Sequence, residues 1–272
     1  MGKKLIFLAD VHLSPAPAAE AAEARLPGQT GKRPARNTSS DAAGSPADRA
    51  EALFGFLQAV RGEAEALYIL GDLFDYWVGP RQRRRPAWGA FLDRLGEIAR
   101  GGPHLGVIGG NRDYLLDAAA LAPYGIESLG LEHRFERDGL RFTLIHGHLQ
   151  FPDRWASRLF LRWIQGRVMR WVAHAVPLWM ALSVAEGLRC WRRLAVGRKD
   201  PKDAERYDPA AFLPFFEAGA DVVVCGHNHF ARDYTAELGR PGCRLFAVGP
   251  WDAGPSYLEY ADGAFCLVDP RL

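Results

Sequence analysis

The segment Leu5-Ile-Phe-Leu-Ala-Asp10-Val-His12 sets the architecture of the chain. Its apolar run has the length of a strand, not of a helix, and an unbroken run of this kind belongs to a strand covered on both faces. Asp10 and His12 are therefore expected just past the C-terminal end of that strand. The same figure recurs four times. Leu67 to Leu70 runs into Gly71-Asp72, and Leu105 to Ile108 into Gly109-Gly110-Asn111-Arg112-Asp113; Phe142 to Ile145 runs into His146-Gly147-His148, and Val222 to Cys225 into Gly226-His227-Asn228-His229. Open α/β sheets bind ligands outside the carboxyl ends of their strands, so this repetition predicts one site assembled from five loops. The expected fold class is α/β, a layered α/β sandwich.

The intervening elements fit that plan. Asp48 followed by Glu51 has the spacing of a capping box, and Leu53, Phe54, Leu57 and Val60 recur at helical intervals, predicting a helix from Arg49 to Gly62. Trp88 to Arg100 reads as a crossover helix. Arg244 to Val248, Tyr257 to Tyr260 and Phe265 to Val268 read as a closing antiparallel set. From Ser14 to Arg49 the only large aliphatic residue is Leu26, so residues 14–49 are expected to be a flexible polar insertion. The basic cluster Arg81 to Arg85 is placed on a loop near Asp72. Residues 1–150 and 208–272 then form a core, and residues 151–207 a helical cap rich in Trp and Arg.

The chain has 272 residues, 48% hydrophobic and 24% charged, which excludes a disordered, collagen-like or disulfide-stapled protein. Its four cysteines form no Cys-x-x-Cys pair, which fits a reducing compartment. The apolar run before Asp10 is too short for a signal-peptide core, and the charge-free stretch from Trp171 to Ala185 falls short of the ~20 residues that span a bilayer. A cytoplasmic protein without a transmembrane helix is expected.

Asp, Asn and His side chains delivered by separate loops supply the mixed nitrogen and oxygen ligation that suits Mn²⁺, Fe²⁺ or Zn²⁺. A carboxylate has two oxygens and can bridge two ions, and Asp72 on its glycine-preceded turn is the natural candidate. Two ions held roughly 3.5 to 4 Å apart stabilise both the attacking and the leaving oxygen of a phosphoryl displacement. Asp113 and Asp75 are expected to support this set, not to ligate, and His104, His133 and His174 to be ordinary surface or packing residues.

The ordered set Asp10-x-His12, Gly71-Asp72, Gly110-Asn111-Arg112-Asp113, His146 and Gly226-His227-x-His229 resembles the calcineurin-like metallophosphoesterase superfamily. The resemblance implies that Asp10, His12, Asp72 and His229 hold one divalent ion and Asp72, Asn111, His146 and His227 a second, most often Mn²⁺. Within the superfamily, Tyr68-Ile-Leu-Gly-Asp-Leu-Phe-Asp75-Tyr-Trp-Val-Gly79 and Gly110-Asn-Arg-Asp-Tyr-Leu-Leu116 are similar to the UDP-2,3-diacylglucosamine hydrolase family of lipid A synthesis. That family cleaves the diphosphate of a nucleotide-linked glycolipid, yielding UMP and 2,3-diacylglucosamine 1-phosphate. Asp72, Asn111 and Arg112 would be catalytic. Asn111, Arg112, Asp153 and Lys199 would contact the substrate. Arg112 stands where many superfamily members carry a histidine, and its permanently charged fork suits phosphate oxygens. His146-Gly-His148, where the narrower family usually has His-Gly-Asp, is the pattern of general phosphodiesterases.

Between Arg154 and Lys199 ten basic residues face one acidic residue, Glu186, and five of the eight tryptophans fall here, at Trp155, Trp163, Trp171, Trp179 and Trp191. Basic, Trp-rich amphipathic helices lie in membrane interfaces, which predicts peripheral association with the inner-membrane surface through the cap. No nucleic-acid partner is expected. Two alternatives remain open: a general metal-dependent phosphodiesterase, and a non-catalytic scaffold that binds membrane or protein.

Overall fold

The computed structural model describes residues 3–14, 46–150, 175–184 and 207–272, with residues 166, 171 and 187 besides. Most of the anticipated insertion and cap, including Asp153 and Lys199, lies outside the described residues.

Eleven strands are described, forming two sheets. They are β1 (Lys4–Leu8), β2 (Ala64–Leu70), β3 (His104–Ile108), β4 (Glu127–Ser128), β5 (Glu132–Arg137), β6 (Leu140–Ile145), β7 (Val222–Cys225), β8 (Arg232–Asp233), β9 (Arg244–Ala247), β10 (Tyr257–Ala261) and β11 (Ala264–Val268). One sheet has the order β11-β10-β1-β2-β3-β4 and the other β5-β6-β7-β9-β8. Strands β1 to β4 are mutually parallel, as are β6, β7 and β9.

The pleat explains the uninterrupted apolar runs. Along β1 and the residue after it, Leu5, Phe7 and Ala9 face the partner sheet, packing with Phe142, Leu144, Val222 and Val224. Ile6 and Leu8 face the other way, toward the helices α1 (Pro46–Val60) and α2 (Pro86–Ala99), where Leu53, Leu57, Trp88 and Leu92 receive them. Both faces are covered, so both sets of alternating residues must be apolar. Phe7 sits between Tyr68 and Phe142, with ring centroids at 5.5 and 6.1 Å. Fully burying a side chain of this size is worth roughly 1.5–3 kcal/mol. A third cluster, built around Val223, Cys225, Phe212 and Phe216, covers the outer face of the second sheet.

Four expectations need correction. Helix α1 begins at Pro46, so Asp48 lies inside its first turn and is not its cap, and residues 46–49 belong to the helix instead of the insertion. Strand β9 is not part of an antiparallel closing set: it pairs parallel with β7 in the second sheet, while β10 and β11 form a hairpin that extends the first sheet from β1. Strand β5, unanticipated, is an edge strand whose residues alternate between exposed and half-buried. The cluster from Arg81 to Arg84 lies on a short 3₁₀ helix, Pro80–Arg84.

Candidate metal centre

The C-terminal ends of β1, β2 and β3 in one sheet meet those of β6 and β7 in the other, and the expected residues converge there. His12 Nε2 lies 3.2 Å from His229 Nε2, and Asp10 Oδ1 lies 3.7 Å from each of those nitrogens. On the other side, His146 Nε2 is 3.0 Å from Asn111 Oδ1, 3.2 Å from His227 Nδ1 and 3.6 Å from Asp72 Oδ1. Asp72 spans the two halves, since its Oδ2 is 3.9 Å from His12 Nδ1. Ligand atoms of Asp10, His12 and His229 can meet around one point, and those of Asp10, Asp72 and His146 around another. The seven residues read as ligands are thus all brought together.

Backbone geometry shows how tightly they are held. Asp10, His12, Asp72, His227 and His229 all have positive φ, between 51° and 73°, a region that non-glycine residues avoid. Among the described residues the two remaining non-glycine examples, Asp138 and Asp262, sit in hairpin turns. Each left-handed residue costs of order 1 kcal/mol or more, and such strain gathers where surroundings impose an exact side-chain direction. The Gly71-Asp72 and Gly110-Asn111 pairs have a second reason. A Cβ on Gly71 would lie 2.6 Å from His146 Nδ1, and one on Gly110 would collide with the Asp72 backbone nitrogen.

Support comes from beneath. Asp113 accepts hydrogen bonds from the backbone N–H groups of Gly110 (2.8 Å), Asp72 (3.1 Å) and Phe74 (3.2 Å), tying the β2 and β3 loops together as the supporting role anticipated. The His227 N–H donates to Asp10 Oδ2 at 2.6 Å, joining the sheets. Trp251, unmarked by any motif, donates its backbone N–H to the Asp10 carbonyl at 3.4 Å while its ring is buried. Asp75 pairs with Arg112 at 3.4 Å, and His104 with Glu127 at 3.1 Å away from the site.

The donor set calls for a cation. His146 Nδ1 donates to the Leu70 carbonyl at 2.7 Å, and burial pushes this imidazole down to about 3, so its Nε2 presents a bare lone pair. That lone pair faces Asn111 Oδ1, another acceptor, at 3.0 Å. Burial likewise holds His12 and His227 well below the usual imidazole range, as neutral donors to a metal. Burial, reinforced by the Asp72 charge, pushes the Asp10 carboxyl well up, and Asp10 Oδ1 and His12 Nδ1 are buried without hydrogen-bond partners. Two buried carboxylates, bare imidazole nitrogens and orphaned acceptors are costly until positive charge is supplied.

Residues 3–231 match the family of calcineurin-like phosphoesterases. The chain belongs to that family. It is 32% identical over 235 residues to the UDP-2,3-diacylglucosamine hydrolase of Ralstonia nicotianae, covering 81% of this chain and 86% of that one. The corresponding hydrolases of Bordetella pertussis and Aromatoleum aromaticum are 31% and 29% identical, covering 81% and 78% of this chain and 85% and 86% of theirs. As a calcineurin-like phosphoesterase the chain is a hydrolase, and the ligand cluster of this phosphoesterase fits divalent metal ions. No helix among the described residues is long and apolar enough to cross a membrane.

Proposed function

We propose that this phosphoesterase cleaves the diphosphate of UDP-2,3-diacylglucosamine into UMP and 2,3-diacylglucosamine 1-phosphate. Two divalent ions, Mn²⁺ in the cell, are assigned to Asp10, His12, Asp72 and His229 and to Asp72, Asn111, His146 and His227. When bound, such ions supply Lewis-acid polarisation of phosphoryl oxygens and acidify a water molecule. The observation that carries the reading is Arg112, placed beside the shared carboxylate Asp72 with its Nε 3.3 Å from Oδ2. The names of the relatives point to the same substrate.

In this reading water adds to the uridine-side phosphorus, the bond from that phosphorus to the bridging oxygen breaks, and the lipid phosphate departs. Arg112, half-exposed at the mouth, grips the equatorial oxygens and stabilises the charge that builds on them. The role of Arg112 is electrostatic, and a departing phosphate needs no proton donor. Asp153 and Lys199 are assigned to substrate contact from the cap, residues 151–207, which inserts into the core of residues 1–150 and 208–272. Trp171 and Trp179, 72% and 62% exposed, support a cap that rests on the cytoplasmic face of the inner membrane.

The test is incubation of the Mn²⁺-loaded protein with that lipid. UMP release is expected, and its absence refutes the substrate assignment. A general phosphodiesterase is the second reading, favoured by His148, whose buried ring lies 5.3 Å from that of His146 and 6.0 Å from that of His227. Equal turnover of bis(p-nitrophenyl) phosphate and the lipid would favour it.

A further inference from the structure

Arg112 and Arg49 stand beside the metal centre in opposite electrostatic circumstances. Arg112 is matched by two carboxylates, Asp72 and Asp75. Arg49, on α1, faces no carboxylate among the described residues: its one hydrogen bond runs from Nη1 to the Val11 carbonyl at 3.5 Å, and its Nε is buried without a partner. Val11 lies between Asp10 and His12, so this guanidinium is held against the turn that presents two of the ligands.

A partly buried guanidinium with an orphaned N–H is costly, and divalent cations on the neighbouring ligands would add repulsion. An anion that reaches from the metal centre to Arg49 removes both penalties. A single phosphoryl group seated beside Asp72 already has Arg112. The fork of Arg49, unmatched by a carboxylate among the described residues, supplies a further cation, and its planar geometry suits two phosphate oxygens at once.

We propose that Arg49 contacts the second phosphate of a diphosphate substrate, the one not attacked, and so selects diphosphates over simple diesters. This rests on the reading of the site as a diphosphate hydrolase. It concerns a residue that no motif marks, at the start of α1, which follows the anticipated insertion.

The test compares wild type with Arg49→Gln and Arg49→Lys, all loaded with Mn²⁺, on UDP-2,3-diacylglucosamine and on bis(p-nitrophenyl) phosphate. For Arg49→Gln, KM for the lipid is expected to rise tenfold or more with kcat changed less than threefold. The ratio of kcat/KM for lipid to that for diester is expected to fall about tenfold, and Arg49→Lys to recover part of it. An equal loss of kcat on both substrates would make Arg49 a strut for the Asp10–His12 turn and overturn the proposal, as would unchanged kinetics. If wild type releases no UMP, the substrate assignment fails by itself. Arg49 is then judged by inorganic pyrophosphate as a competitive inhibitor of diester hydrolysis at fixed free Mn²⁺. Its Ki should rise tenfold in Arg49→Gln while that of orthophosphate rises less than threefold, and equal changes overturn the proposal.

Discussion

Arg112 and Asp72 are joined twice: the Arg112 backbone N–H donates to Asp72 Oδ1 at 2.9 Å, and the guanidinium Nε lies 3.3 Å from Asp72 Oδ2. The main-chain bond survives any substitution of the side chain, so holding Asp72 and stabilising a reacting phosphate are separable. Arg112→Ala is expected to lower kcat by a factor of about 10² to 10³. Its metal content should match that of wild type. Kinetics paired with elemental analysis checks this, and an Arg112→Ala protein that lost its metal would show that the side chain mainly braces Asp72.

Two glycines make an opposed pair. A Cβ on Gly110 meets the Asp72 backbone and carboxylate, whereas one on Gly55, exposed in the middle of α1, meets nothing within 4 Å. Gly110→Ala should destabilise the protein by about 1–3 kcal/mol and impair metal binding, because backbone cannot move aside as a side-chain tip can. Gly55→Ala should stabilise it by about 0.5–1 kcal/mol by restricting the unfolded chain. Thermal melts of both variants decide the matter; a Gly110→Ala protein as stable as wild type would mean that the β2 and β3 loops are not in contact.

The convergence of Asp10, Asp72, Asn111, His146 and His227 was legible because apolar runs followed at once by polar residues carry their own register. Sheet membership was not legible. Arg244 to Ala247 has the same local pattern whether it pairs parallel with Val222 to Cys225 or antiparallel with its successor, and only long-range packing chooses. Strand β5 escaped notice because its edge position leaves Phe135 as the one large apolar side chain among charged neighbours. Arg49 and Trp251 were invisible for another reason. Their placement at the site rests on backbone groups, the Val11 carbonyl and the Asp10 carbonyl, that leave no mark in side-chain composition.

His146 gives the metal-free protein an acid weakness. Its pKa falls from 6.5 to about 3 through burial, so below pH 6.5 the unfolded chain takes up a proton that the folded chain refuses. The sign is fixed: stability is retained above pH 6.5 and drains away as the pH falls toward 3. By pH 5 this one ring accounts for roughly 2 kcal/mol. Urea midpoints of the EDTA-treated protein should fall steadily from pH 7 to 5, and His146→Gln should flatten the dependence by about one proton. Wild-type and His146→Gln midpoints that run parallel over that range would contradict a buried, neutral His146.

Asp72 reaches both halves of the centre, its oxygens 3.6 Å from His146 Nε2 and 3.9 Å from His12 Nδ1, whereas His229 meets only the half that holds Asp10 and His12. This asymmetry predicts different metal losses from single substitutions. Asp72→Asn keeps the side-chain shape but removes the charge that both ions share, so it should retain well under one Mn²⁺ per chain. His229→Gln disturbs only the ion beside His12 and should retain about one, against two in wild type. Binding to the folded state alone also raises the melting temperature as RT ln(1 + [L]/Kd) grows. Titration with Mn²⁺ should therefore shift the melt of wild type most, His229→Gln less and Asp72→Asn least. Equal stoichiometry in the two variants would mean that Asp72 serves a single ion and is not the carboxylate that the two share.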